Sequence, residues 1–97
     1  MASILVVDPD AAARAQMVVE LRGLGHDVLE SEYAGAALAA VQRSQPDLMI
    51  CDRALPDLVG VELLTDVRRN EDLRSMRVVM TSGSKDADDI VTALESG

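Results

Sequence analysis

Three side chains that carry oxygen atoms follow short apolar runs of the sequence. Asp8 follows ILVV, Asp52 follows LMIC and Thr81 follows RVVM. Short aliphatic runs of this kind are typical of strands that are buried on both faces of a parallel sheet. Because the carboxyl ends of parallel strands form the edge where open α/β folds bind ligands, we expect the three side chains to lie together there.

Two carboxylates at one edge of a sheet repel each other unless a cation lies between them. Mg²⁺ suits this position, because it takes oxygen ligands and usually completes its shell with water and phosphate. A carboxylate beside such an ion can attack phosphorus as a nucleophile and form an aspartyl phosphate. Taken singly, Asp10 and Asp57 are explained more simply as capping residues, and Asp8 fits either role equally well.

Helical patterns separate the apolar runs. Helices are predicted over 11–24, 35–43, 61–70 and 86–95, and a further, one-sided strand is predicted over 27–31. Met17, Leu21 and Leu24 are expected to form the buried face of the first helix, which Gly25 ends in the left-handed conformation. Alternating strands and helices predict an α/β fold with parallel strands and right-handed crossovers.

Composition excludes several classes of protein. The 97 residues suit one small domain, and a net charge of −8 argues against direct binding of nucleic acid. The single cysteine, Cys51, cannot form an intramolecular disulfide and is interpreted as a core residue. No stretch is apolar enough to span a membrane, and residues 1–3 lack a basic signal region, so a cytoplasmic location is expected.

Three stretches together resemble the response-regulator receiver domain of two-component signalling: ILVVD, DLMICDRALPDLVGVELL and RVVMTS. They keep the order and spacing of that family over essentially all of residues 1–97. The resemblance implies one flavodoxin-like domain, a doubly wound parallel sheet with strand order 2-1-3-4 in a three-layer α/β/α arrangement, with the fifth strand and helix missing. It also implies a signalling role and not metabolic catalysis.

The resemblance assigns a role to each matching position. Asp52 would be the phospho-acceptor, and Asp8, Asp52 and the backbone carbonyl of Ala54 would bind Mg²⁺. Thr81 would be the switch hydroxyl that hydrogen-bonds the phosphoryl group. Ser82 would fill the small position beside it and leave access to the phosphate.

The first loop departs from the family pattern. Family members usually carry a pair of acids after the first strand, whereas Asp8 is followed here by Pro9. Asp10 is one residue out of register and could bind the metal only if the loop bends differently. We therefore expect Mg²⁺ to bind more weakly than the family pattern implies.

The sequence stops at Gly97, where the family would begin its fifth strand, so the phosphate-pairing lysine of that strand is missing. Lys85 does not match that position and is interpreted as a solvated loop residue. The apolar strand at 78–80 would then be an exposed edge, open to a second copy or an exchanged segment. We favour a fragment of a longer protein that carries an effector domain.

By this interpretation a sensor histidine kinase or phosphotransfer protein phosphorylates Asp52 with Mg²⁺ present, and the loop at Thr81 then changes contacts with an effector domain or partner protein. The alternative is a phosphorylation-independent interaction or assembly module, which Pro9 and the missing lysine favour. An aspartyl phosphatase or phosphotransferase is disfavoured, because Ala54 stands where its general acid would be. Dependence on Mg²⁺ distinguishes the first two.

Overall fold

The structure is a computed structural model that describes residues 2–53, 55–57, 60–73 and 75–81. In chain order its elements are β1 Ser3–Val7, α1 Ala11–Gly23, β2 Asp27–Ser31, α2 Ala34–Ser44, β3 Leu48–Asp52, α3 Gly60–Arg68, a 3₁₀ turn Glu71–Leu73 and β4 Arg77–Thr81. The strands are parallel in the order β2-β1-β3-β4, as predicted. The helix predicted over 86–95, with Ser82 and Lys85 before it, lies outside the described residues.

The pleat of the central strands sorts their side chains between two layers of helix. Successive residues of a strand point to opposite faces, so odd and even positions separate. Odd positions of β1 and β3 pack with α2 and α3, and even positions pack with α1. This confirms the three-layer arrangement, and it explains why both runs are apolar without interruption.

The first helix ends one residue earlier than predicted. α1 stops at Gly23, and Gly25 has a φ of +93°, which is the left-handed conformation expected of it. The prediction that Leu24 faces the core is wrong, because the chain leaves the helix before this residue, which is 62% exposed. Ala13, Met17, Val18 and Leu21 are the buried residues of this helix.

The second helix packs on the sheet through small side chains. Ala34, Ala37, Ala40 and Val41 are buried, while Leu38 is only partly covered. The helix ends at Ser44, and the capping residue Gln45 has a φ of +46°. Small residues on the inner face allow a helix to approach a sheet closely, as the close packing of protein interiors requires.

Two edges bound the sheet in the described part of the chain. β2 is an edge strand, as predicted. Its two buried residues, Val28 and Ser31, point to opposite faces of the sheet, so the prediction of a single covered face is not confirmed. On β4 the apolar residues 78–80 are partly buried, and their pairing with a second copy stays a prediction. No helix among the described residues combines the length and the apolarity that crossing a membrane requires.

Candidate functional site

Three neighbouring strands carry the predicted oxygen-bearing side chains at their carboxyl ends. Asp8 comes directly after β1, while Asp52 and Thr81 are the last residues of β3 and β4. Val7 pairs with Cys51, so Asp8 and Asp52 follow at the same level on β1 and β3. Asp52 pairs with Thr81 on β4, and paired strands lie about 4.8 Å apart. The sheet register therefore brings Asp8, Asp52 and Thr81 together, as the sequence predicts.

The backbone of Asp8 is held by both neighbouring elements. Its amide donates to the carbonyl of Ser31 on β2 at 3.0 Å, and its carbonyl accepts from Nη1 of Arg14 on α1 at 2.7 Å. Its side-chain Oδ1 accepts from the amide of Asp10 at 2.8 Å. The residue is only 5% exposed, so its carboxylate is held in one place and largely out of water.

Burial raises the pKa of the Asp8 carboxyl, because the charged form loses hydration. The hydrogen bond from the Asp10 amide partly offsets that rise, while the negative charges of Asp52 and Asp10 add to it and Arg14 opposes it. The charges of Asp8 and Asp52 therefore repel each other at this edge. A bound cation would relieve both the lost hydration and the repulsion.

Cys51 lies between these charges as a neutral core residue. Burial, with the nearby charges of Asp52 and Asp8, raises the pKa of its thiol to about 12. The thiol contacts the Asp52 carbonyl oxygen at 3.3 Å, in the geometry of a weak donor. The thiolate that redox chemistry needs is thus suppressed, which supports the interpretation of Cys51 as a packing residue.

Arg14 is a residue of this site that the sequence analysis missed. Besides its bond to the Asp8 carbonyl, its Nε donates to Oε1 of Glu30 on β2 at 3.0 Å. The Arg14 side chain is 15% exposed, so this brace between Asp8 and Glu30 is partly shielded from water. One signal was present in the sequence: a cation near the start of a helix opposes the macrodipole, and such a position needs another reason.

Asp10 caps the helix that follows it. Its Oδ1 accepts from the amides of Ala12 and Ala13 at 3.0 and 3.2 Å, which confirms the capping interpretation. The same carboxylate would have to serve as a metal ligand, and that role stays a prediction. Ala54, whose carbonyl is the other expected ligand, lies outside the described residues.

Asp57 also caps a helix, but a distant one. From the loop after β3 its Oδ1 accepts from the amide of Ala34 at 2.7 Å, and its Oδ2 accepts from the amide of Gly35 at 2.9 Å. These two bonds lower the pKa of the Asp57 carboxyl, because they favour its charged form. Capping was predicted for Asp57, but the sequence did not indicate that the helix would be α2.

The donors at this edge fit a hard divalent cation. Mg²⁺ is commonly held by one or two carboxylates and completes its shell with water and substrate oxygens. Asp8 and Asp52 supply such a pair. Burial and mutual repulsion disfavour the negative charge of Asp8, so a bound cation would stabilise the pair. Within the described ranges no group of three or more acidic, histidine or cysteine side chains is placed to ligate a metal.

Comparison with known proteins agrees with this geometry. The family model described as "Response regulator receiver domain" matches residues 4–97. DNA-binding response regulator MtrA of Mycolicibacterium paratuberculosis is 35% identical over 94 residues, which is 97% of this chain and 40% of that protein. Phosphate regulon transcriptional regulatory protein PhoB of Pseudomonas aeruginosa is 32% identical over 95 residues, or 98% of this chain and 42% of that protein.

The chain thus spans about two-fifths of the length of these curated relatives. Among solved structures, chemotaxis response regulator CheY4 of Vibrio cholerae superposes with a TM-score of 0.88 at 20% identity, covering 99% of this chain and 98% of that one. A response regulator from Chloroflexus aurantiacus gives a TM-score of 0.81 at 27% identity, covering 99% and 79%. The chain belongs to the response regulator receiver domain family.

Proposed function

We propose that this receiver domain is a phosphorylation-controlled switch in which Asp52 accepts a phosphoryl group. Mg²⁺ would be held by Asp8, Asp52 and the backbone carbonyl of Ala54. The observation that carries the proposal is the buried Asp8 carboxylate beside Asp52, with Thr81 paired to Asp52 on the neighbouring strand. The repulsion between the two carboxylates, which a bound cation would relieve, supports the proposal.

The reaction is a phosphoryl transfer to a carboxylate. An Asp52 oxygen attacks the phosphorus of a phosphohistidine on a sensor kinase or phosphotransfer protein, forming a P–O bond while the P–N bond breaks. The electron pair of the P–N bond returns to the histidine nitrogen, and the proton on the other ring nitrogen makes the leaving imidazole neutral. Bound Mg²⁺ would neutralise charge on the phosphoryl and carboxylate oxygens. The register of β3 between β1 and β4 supports the proposal, because it keeps Asp52 between Asp8 and Thr81.

Thr81 is proposed to read the phosphoryl group. It is buried at the end of β4, and its carbonyl already accepts from the amide of Arg53 at 2.8 Å. Its hydroxyl can donate to a phosphoryl oxygen on Asp52, which would draw the end of β4 and the adjoining Ser82 toward the site. The shift would then alter contacts with an effector domain or partner protein.

We infer the kind of effector that this domain controls from the names of two relatives. MtrA is named a DNA-binding response regulator and PhoB a transcriptional regulatory protein. We propose a comparable effector for the protein that contains this domain. With a net charge of −8, the domain itself is unsuited to contact DNA phosphates.

The loop after β1 is expected to weaken metal binding. Pro9 replaces the second acid of the family pattern, and Oδ1 of Asp10 already accepts two amides of α1. Recruiting Asp10 to the metal would withdraw that cap from the helix. We therefore expect phosphorylation to require a higher Mg²⁺ concentration than in receivers with both acids.

The test is phosphoryl uptake by wild type and Asp52→Asn. Each protein is incubated with Mg²⁺ and phosphoramidate, a small P–N donor, and phosphoryl incorporation is read by intact-protein mass spectrometry. Wild type is expected to take up one phosphoryl group, and the variant none, with the amide NMR spectra of the two showing the same fold. Uptake by Asp52→Asn would refute the assignment of Asp52. A wild type that takes up no phosphoryl group, and whose amide NMR spectrum does not change with Mg²⁺ or with beryllofluoride, a mimic of the phosphoryl group, would favour the phosphorylation-independent module.

A further inference from the structure

The Asp57 carboxylate joins two elements that are distant in sequence. It reaches from the loop after β3 to the first two residues of α2, and both of its oxygens accept a backbone amide there. Bonds from amides to an ionised carboxylate are shorter and stronger than bonds between neutral groups. At 2.7 and 2.9 Å, both bonds of Asp57 are within that short range.

The start of α2 has no local substitute for Asp57. Its N-cap residue, Tyr33, makes no side-chain capping bond, and the first turn contains no acidic residue. The amides at a helix start need acceptors from outside the helix. Two of those amides in α2, at Ala34 and Gly35, depend on Asp57, so the helix holds the loop as much as the loop caps the helix.

The loop is also held nearer to Asp52. The amide of Arg53 donates to the carbonyl of Thr81 at 2.8 Å, and Leu55 packs against the core on the α2 and α3 side of the sheet. Asp57 is therefore the third point of attachment along the segment that leaves Asp52. Between the first and second points lies Ala54, whose carbonyl is the expected Mg²⁺ contact.

We propose that Asp57 is a positioning residue for the Asp52 site: by fastening the loop to α2 it holds the segment that would face Mg²⁺ and the phosphoryl group. This inference rests on the proposed function. Asp57 itself bonds to amides of α2, so it acts through the loop. The same link makes the start of α2 sensitive to occupancy at Asp52.

This sensitivity separates positioning from simple capping. A cap that served only stability would leave the Ala34 and Gly35 amides unchanged when the Asp52 site fills. Tyr33 offers a second reporter, because it is the only aromatic residue in the sequence and its ring borders the same space as Asp57. A Cβ built on Gly35 would meet Asp57 Oδ2 at 3.5 Å and the Tyr33 ring at 3.6 Å.

The experiment compares Asp57→Ala and Asp57→Asn with wild type. Amide NMR and Tyr33 fluorescence follow titration with Mg²⁺ and then beryllofluoride, at a temperature where every protein gives dispersed peaks. Asp57→Ala is expected to weaken Mg²⁺-dependent beryllofluoride binding about tenfold, the lower range for residues that orient metal ligands. The changes that Mg²⁺ and beryllofluoride cause in the amide shifts of Ala34 and Gly35 and in the fluorescence of Tyr33 are expected to disappear. Asp57→Asn, which keeps one acceptor oxygen, is expected to show an intermediate loss.

Asp47→Ala is the matched control. Its carboxylate also accepts a hydrogen bond from a backbone amide, that of Ser3 at 2.8 Å. Asp47 directly precedes β3, so this bond lies at the amino ends of the strands, away from the Asp52 site. Loss of a similar bond there is expected to lower stability without changing beryllofluoride affinity. An equal loss of affinity in Asp47→Ala and Asp57→Ala would assign the effect to stability and overturn the inference.

The remaining outcomes are distinct. A wild type that binds neither Mg²⁺ nor beryllofluoride overturns the proposed function and, with it, the inference. A wild type that binds both, with unchanged affinity in Asp57→Ala, overturns the inference alone. If Asp57→Ala does not fold, Asp57→Asn decides: wild-type affinity together with intact Ala34 and Gly35 responses would refute positioning.

Discussion

The two loops that leave the carboxyl ends of β1 and β3 use the same chemistry over different distances. Each follows a strand-end aspartate and carries a second aspartate that caps a helix. Asp10 caps α1, the next element, whereas Asp57 caps α2, an element that precedes it in the chain. The first cap orders only its own loop. The second makes the geometry of one loop depend on a helix formed earlier in the chain.

The charges in these loops also differ in what the fold does to them. Burial and neighbouring carboxylates raise the pKa of Asp8, whereas backbone amides lower the pKa of Asp57. The fold therefore opposes one negative charge and stabilises another at the same edge. A cation would improve the environment of Asp8, while Asp57 already has its partners.

The largest effect is expected from the brace of the first loop. Arg14→Ala removes the donor to the Asp8 carbonyl together with the bond to Glu30. Leaving a buried carbonyl without its partner costs about 1–3 kcal/mol of the free energy of unfolding. Urea denaturation of wild type and variant measures the loss.

Arg22→Ala is the control for this prediction. Arg22 also donates to a strand carbonyl, that of Val28 at 3.1 Å, but its residue is exposed at the other end of α1. We expect a smaller loss there, and Arg14→Lys should recover only part, since an ammonium lacks the guanidinium fork. Equal losses in Arg14→Ala and Arg22→Ala would show that the brace at Asp8 has no special weight.

A smaller effect is expected from the local cap. Asp10→Ala removes the acceptor for two α1 amides and should lower the free energy of unfolding by about 1 kcal/mol, as N-cap substitutions typically do. Asp10→Ser, another good cap, should recover most of that loss. Amide shifts in Asp10→Ala should be confined to the first loop and the start of α1. Shifts that spread to α2 would contradict the local character of this cap.

The smallest effect is a difference in pH dependence. The pKa of Asp57 is lower in the folded chain than its usual 3.8, so its charge stabilises the fold above that value. This contribution disappears as pH falls through the folded-state pKa. The Tm of wild type should therefore exceed that of Asp57→Asn at neutral pH, and the gap should close in acid.

Asp8 should behave in the opposite way in metal-free buffer. Its folded-state pKa is raised above the usual 3.8, so stability is lost as pH rises from that value through the folded-state pKa, and no loss occurs in acid below both values. Asp8→Asn should consequently raise the Tm at neutral pH and leave it unchanged in acid. A parallel pH dependence for Asp8→Asn and Asp57→Asn would contradict the contrast between the two loops.

Features set by local pattern were predictable from the sequence. The edge formed by Asp8, Asp52 and Thr81 follows from short apolar runs and parallel order, and the cap at Asp10 needs only its neighbours. The left-handed Gly25 is similarly local. Each of these depends on residues that are close in sequence or on one rule of sheet topology.

Features set by packing between distant segments were not predictable. The partner of Asp57 depends on how α2 lies against the loop after β3, and the brace of Arg14 requires the register of β2 beside α1. The exposure of Leu24 depends on a helix end that pattern fixes only to within a residue or two. The 3₁₀ turn at Glu71–Leu73 places Leu73 in the core without a periodic signal.

The thiol of Cys51 can report how often the middle of the sheet opens. It is the only cysteine in the sequence, it is fully buried in β3, and it adjoins Asp52. A neutral, buried thiol reacts with alkylating reagents only when the surrounding structure opens. The rate of alkylation therefore reports how often β3 becomes exposed. If alkylation is slower with beryllofluoride bound, the ratio of the two rates measures how far occupancy of Asp52 suppresses opening of β3.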